Sequence, residues 1–154
     1  MFNLRKPDSK LYDQNTFDNQ FMRDLRKARK SIIIESPFLR VARVEKFTPI
    51  LHWLKKRGVV ILLNTKPPEE HDGIYQLQAR ESLSLLQSAG VEVLFTVKKH
   101  HRKLAIIDRR IIYEGSLNIF SYRNSCEIMR RTTSALEAEM LIDFIGLNKF
   151  MEVR

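Results

Sequence analysis

The sequence predicts an α/β fold, a mixed β-sheet sandwiched between helices, on three observations. Short apolar runs with strand character alternate with stretches of helical periodicity along the first two thirds of the chain. The polar connection Asp108-Arg109-Arg110 then joins two apolar runs as a hairpin, which makes the later part of the sheet antiparallel. Last, Ser134 and Glu137 stand at the spacing of a capping box and open a closing helix.

In chain order, Phe17, Phe21 and Leu25 recur every fourth residue and form one apolar stripe on a helix from about Thr16 to Lys30. Ser31 to Glu35 is a buried strand, stopped by Pro37. A second helix, from about Val44 to Arg57, turns Phe47, Leu51 and Leu54 inward and stops at Gly58. Val59 to Leu63 is an apolar strand. Asn64 to Gly73, with its two prolines, is a surface loop near a strand end, a place that often carries substrate contacts. Ile74 to Ala89 is the third helix, capped by Gly90, and Val91 to Val97 the third strand. Lys98 to Arg102 leads into the strand Lys103 to Ile107, Asp108 sits in the turn, and Ile111 to Glu114 returns. Cys126 to Met129 is strand-like, and the last helix runs through Leu136, Met140, Ile142, Phe144 and Ile145. The short polar start before Thr16 has the composition of a cut linker.

With 154 residues, 44% of them hydrophobic and 29% charged, residues 1–154 form one domain large enough for its own core. The single cysteine, Cys126, excludes an intramolecular disulfide and every zinc motif built on cysteine pairs. No apolar run approaches the roughly twenty residues of a membrane span, and the amino terminus lacks the apolar stretch of a signal peptide. A cytoplasmic protein without membrane attachment is expected. The formal net charge of +9 favours a polyanionic partner, either nucleic acid or an anionic membrane surface. Basic residues crowd one region, Lys98, Lys99, Arg102, Arg109, Arg110, Arg123, Arg130 and Arg131, which weights the first over the second and over plain surface charge.

In that region stand His101 and Lys103, then Asp108, then Gly115 and Ser116, then Asn118. Six fixed residue types at fixed spacing arise by chance in about one of a few hundred thousand chains of this length. A plain basic hairpin accounts for the strands but not for His and Lys two apart, hence on one strand face, with Ser and Asn just past the returning strand. An imidazole can attack phosphorus while fixed donors hold the phosphoryl oxygens. His101 is the candidate nucleophile, Lys103 the charge that neutralises those oxygens, and Ser116 and Asn118 their hydrogen-bond donors. Gly115 is expected to let the backbone turn close to the substrate. Asp108 lies an odd number of residues from His101, so its carboxylate points to the opposite face, and an orienting or structural role at the turn is expected.

The stretch H-R-K-L-A-I-I-D-R-R-I-I-Y-E-G-S-L-N fits H-x-K-x4-D followed by G-S-x-N, and so resembles the HKD signature of the phospholipase D superfamily. The resemblance implies a phospholipase D-like fold and a phosphodiesterase that works without metal or cofactor through a covalent phosphohistidine. It also nominates Glu127, after Asn-Ser-Cys, as the acidic residue set against the histidine; the alternative is a surface carboxylate paired with Arg130 or Arg131. Lys98, Lys99, Arg102 and Arg123 are the nearest candidates for substrate binding.

The leaving oxygen needs a proton, and one imidazole does not readily serve as nucleophile and acid in the same step. Family members with one motif supply the second histidine from a second subunit, so a homodimer with two His101 facing each other is expected. His52, in an amphipathic helix, and His71, in a polar loop, are read as incidental, and His100 alternates to the wrong face. The expected substrate is nucleic acid, DNA before RNA. The alternatives are a phospholipid of the cardiolipin type, disfavoured by the lack of an exposed apolar helix, and a DNA-binding module with a vestigial site. No base-stacking motif is evident, and Phe120 and Tyr122 are read as packing residues. Similar domains also occur as parts of larger helicase- or restriction-type proteins.

Overall fold

A computed structural model describes residues 8–151. Seven strands form one mixed sheet in the order β1-β7-β6-β5-β2-β3-β4. An interior strand is β2 (Ser31–Glu35), all five residues of which are buried. Such a strand needs cover on both faces. Ile32 and Ile34 join a core cluster with Phe17, Phe21 and Leu25 of α1 (Phe17–Lys27) and Phe47, Leu51 and Leu54 of α2 (Val41–Lys56). Leu83 and Leu86 of α3 (Gly73–Ser88) complete that side. Ile33 joins a second cluster, with Ala138 and Ile142 of α4 (Ala135–Phe144). A short α5 (Asn148–Met151) ends the described chain.

The parallel half of the sheet is β2, β3 (Val60–Thr65) and β4 (Glu92–Phe95). On the other side of β2 runs β5 (Leu104–Ile107), antiparallel, with Glu35 opposite Leu104. The hairpin to β6 (Ile111–Gly115) and the antiparallel β7 (Ile128–Thr133) follow. The start of β5 therefore lies beside the carboxyl end of β2, where the β2–α2 and β3–α3 connections also emerge.

Several boundaries depart from expectation. Part of the polar start expected as a cut linker is an edge strand, β1 (Ser9–Asp13), antiparallel to β7; the rest of it, residues 1–7, lies outside the described residues. The charged, half-exposed residues of β1 suit an edge and give no apolar alternation to read. β7 begins at Ile128 and continues through Arg130, Arg131 and Thr132, beyond the expected Met129, because one flank is covered by β1. The first helix stops at Lys27 rather than Lys30, since the backbone of residues 29–31 is held elsewhere, as described below. The Ser134 hydroxyl caps α4 by accepting from Glu137 N–H at 3.1 Å, while the Ser134 N–H donates to Arg110 O, so the box is closed on one side only.

One polar cluster sits inside this framework. Asp24 of α1, almost fully buried, accepts from the Tyr113 hydroxyl of β6 and from the Arg131 guanidinium of β7 at 2.7 and 3.1 Å. Burial, with the Asp24 carboxylate close by, pushes the Tyr113 phenol far above its ordinary value. Asp24→Ala leaves both partners desolvated and unpaired, which costs about 3–5 kcal/mol. Urea denaturation followed by circular dichroism is expected to show that loss, and a change under 1 kcal/mol (about the value of an exposed pair) would count against the cluster as a structural tie.

Candidate active site

His101 and Lys103 precede β5 in extended backbone, and their side chains meet. Lys103 Nζ lies 3.0 Å from His101 Nδ1 and donates to the His101 carbonyl at 2.7 Å. Burial holds the Lys103 ammonium below its ordinary value, and the charge of Glu127 pulls the other way. The carboxylate of Glu127, on the approach to β7, therefore acts on the lysine. It accepts from the Ser125 hydroxyl at 2.8 Å, while the Glu127 N–H donates to the Gln14 side chain. Neither alternative partner is used: Arg130 donates to the Ser9 hydroxyl and Arg131 to Asp24.

Past β6, Ser116 bridges two strands. Its N–H donates to Ile128 O at 2.9 Å and its hydroxyl accepts from Ile128 N–H at 3.0 Å. A Cβ at Gly115 would run into the same Ile128 carbonyl. The close approach that demands glycine is thus to the neighbouring strand and not, as expected, to a substrate. Asn118 closes a turn by accepting from Ser121 and Tyr122 N–H, and its side-chain Oδ1 is buried without a partner.

Asp108 is not with this group. It sits at the other end of β5, where its carboxylate accepts from the N–H groups of Arg29, Lys30 and Ser31 at 2.8–3.1 Å. It thereby ends α1, starts β2 and fixes β5 beside it. Arg102 is paired: its guanidinium forms a two-pronged pair with Glu35 at 2.7 and 3.0 Å while part of the side chain stays exposed. Lys98 and Lys99 have left-handed backbone and exposed side chains, and the Lys99 N–H donates to Glu70 at 3.2 Å. Arg123 is exposed near Arg40 on the rim of a cavity.

Glu35 was not singled out by the sequence, yet it governs how His101 is presented. Its carboxylate, 0% exposed, closes the end of β2 and also accepts from the Asn64 amide of β3. His100 Nε2 lies 3.5 Å from the same group, and burial keeps the His100 imidazole below its ordinary value. Arg102 is thus anchored on a buried carboxylate that His100 also approaches, while His101 between them faces solvent. The only sequence signal was a charged residue ending the run Ser-Ile-Ile-Ile.

His71 corrects a further expectation. It is 6% exposed rather than lying on a polar surface loop, and neither ring nitrogen makes a well-aligned hydrogen bond, the Pro37 carbonyl lying near the ring. Burial, with the Lys66 charge added, holds it below the ordinary imidazole value. Its ring meets Phe38 at 5.2 Å, and Phe38 meets His101 at 6.5 Å. His71, Phe38, Asn118 and Glu127 line one cavity of about 250 Å³. His52, in contrast, is exposed on α2.

Residues 21–142 match the family model described as cardiolipin synthase, PLD-like domain. The chain belongs to the phospholipase D superfamily. Its fold is also that of solved members of this superfamily. Nuc from Salmonella typhimurium, a phospholipase D family member, aligns over 90% of this chain and 91% of its own, with 16% identity and a TM-score of 0.73. NucT from Helicobacter pylori aligns over 90% and 93%, with 16% identity and a TM-score of 0.70. Phosphatidylserine synthase from Haemophilus influenzae shares the fold over 94% of this chain and 38% of its own, at 12% identity and a TM-score of 0.57. No curated protein sequence matches the chain.

If Glu35 aims the nucleophile, Glu35→Gln, which keeps the shape and removes the charge, is expected to lower kcat on bis(p-nitrophenyl) phosphate on the order of tenfold or more, since small misplacements of a reacting group are costly. KM should stay within about twofold. A loss confined to KM would assign Glu35 to substrate binding instead.

Proposed function

We propose that the protein is a metal-independent phosphodiesterase that cleaves nucleic acid, DNA before RNA, at a site shared by two copies of the chain. One observation carries the reading: exposed His101 and half-buried Lys103 meet at 3.0 Å, and Asn118 and Glu127 line the neighbouring cavity. In the first step His101 nitrogen attacks phosphorus, the N–P bond forms, and the bond to the leaving oxygen breaks. That oxygen takes a proton from the partner's His101. Water then attacks phosphorus, the N–P bond breaks, and the partner's imidazole takes the proton from the water. Lys103 and the Asn118 amide stabilise the charge on the phosphoryl oxygens in both transition states. The net charge of +9 supports a polyanionic substrate.

A second reading, a phospholipid phosphodiesterase, draws on a different observation. The sequence suggested no exposed apolar helix, but Leu136, Met140 and Phe144 form a stripe on α4 at 72, 62 and 84% exposure. Phe144 also borders a groove of about 510 Å³, where Leu11, Ile128 and Leu141 lie near Lys103 and Gly115. Among the described residues no helix is long and apolar enough to cross a membrane. Lys103 borders the apolar groove, and arginines line both openings; the nucleic-acid reading is preferred for the net charge of +9 and for the polar wall that Asn118 and Glu127 share with His71.

With EDTA present, single-stranded DNA, duplex DNA, RNA and cardiolipin vesicles separate these readings. Cleavage of a nucleic acid that His101→Asn abolishes is expected; turnover of cardiolipin alone transfers the site to lipid, and salt-sensitive DNA binding unaffected by the mutation leaves a binding module.

Shared sites make a separate prediction. Subunits carrying His101→Asn, mixed with wild type, should form hybrids without turnover, so that activity falls faster than the wild-type fraction. Activity in simple proportion to that fraction would mean that each chain works alone.

A further inference from the structure

The cavity beside His101 contains more than the proposed chemistry uses. His71 is buried without a well-aligned hydrogen bond at either ring nitrogen, although the Pro37 carbonyl lies near the ring, and Asn118 Oδ1 is buried and unpaired on the same wall. Buried polar groups are rarely left without partners, and each such atom is costly unless a ligand or water meets it. A neutral imidazole offers one donor and one acceptor, and the amide oxygen a further acceptor. The rest of the wall is aromatic, with half-buried Phe38 and Tyr122 and the more exposed Tyr75, while Arg40 and Arg123 stand at the rim. Arg40 already lies over the Tyr75 ring at 5.6 Å.

We propose that this cavity is a nucleobase subsite: it takes one unpaired base of a strand whose adjoining phosphate lies against His101. The inference rests on the nucleic-acid reading above and narrows it to unpaired substrate. A base supplies, in one flat ring, the edge donors and acceptors that His71 and Asn118 lack and the faces that aromatic side chains bind. An acyl chain would leave the unpaired atoms unsatisfied. At about 250 Å³ the space is below the roughly 300–1,000 Å³ of drug-sized ligand sites and suffices for one ring system, and a paired base would have its edge already bonded to its complement. The bound base would also hold the backbone in place for in-line attack. Phe38 would link the two, since its ring touches both imidazoles.

The test is binding, read apart from cleavage. Fluorescence anisotropy would give Kd for a short labelled thymidylate strand, for a strand of equal length made of abasic units, and for a duplex. The wild type should bind the thymidylate strand at least tenfold more tightly than the other two. His71→Phe, which fills the same space without ring nitrogens, and Phe38→Ala should each bring the thymidylate-to-abasic ratio close to one, with thermal melts confirming that both fold. Equal Kd for thymidylate and abasic strands, a ratio unchanged in both variants, or displacement of the strand by glycerophosphoglycerol but not by thymidine monophosphate overturns the subsite. Base-dependent binding without any cleavage of the strand would instead remove the phosphodiesterase reading and leave the subsite standing.

Discussion

The site depends on a carboxylate that does not face the substrate. Glu35 ends a fully buried strand of the sheet, and three side chains from two other segments converge on it: Asn64 from β3, and Arg102 and His100 from the entry to β5. A buried carboxylate is tolerated only when paired and hydrogen-bonded, and removing one partner of such a pair costs far more than the pair itself contributes. The register of β5 against β2 is consequently tied to the ion pair as well as to the apolar side chains. Because residues 100 and 102 both point to Glu35, residue 101 is turned outward, where Lys103 meets it.

The opposite end of the same strand pair is fixed by another carboxylate. Asp108 gathers the N–H groups that lie between α1 and β2, so β2 and β5 are clamped at both ends by acidic groups from each other's side. That explains how an aspartate within the signature spacing acts without approaching the phosphate. The spacing between His101 and Asp108 spans the length of a strand, one end presenting His101 and the other securing the strand. Gly115 and Ser116 extend the same logic to β7, where they allow and then bond the close approach of Ile128, which brings Glu127 within electrostatic reach of Lys103.

Much of this was legible in the sequence because it is local. The apolar strands and the stripe Phe17, Phe21, Leu25 declare the α/β sandwich, and the segment from His101 to Asn118 declares the reacting groups in a continuous stretch. What was illegible is long-range or polar. Arg102 and Glu35 are 67 positions apart and obey no spacing rule. His71 sits among Pro, Glu and Asp, a composition that signals exposure, and only folding carries its ring under Phe38. β1 is invisible for the opposite reason: an edge strand needs no apolar face of its own once Arg130 and Arg131 of β7 are positioned beside it.

The two openings near His101 differ in chemistry, and the difference bears on substrate choice. On one side the β2–α2, β3–α3 and β6–β7 connections form a polar and aromatic cavity with unpaired nitrogen and oxygen atoms. Toward α4 the groove is apolar and borders a stripe of exposed side chains. The proposed reacting pair, an imidazole and an ammonium, is indifferent to what is attached to a phosphate. Selectivity must therefore come from the groups that flank it, and a nucleoside and an acyl glycerol would choose opposite sides. Hydrogen-bonding groups reject a wrong ligand more strongly than apolar surface does, because they leave a buried partner unpaired. By that criterion the cavity with His71 and Asn118 discriminates more sharply than the apolar groove.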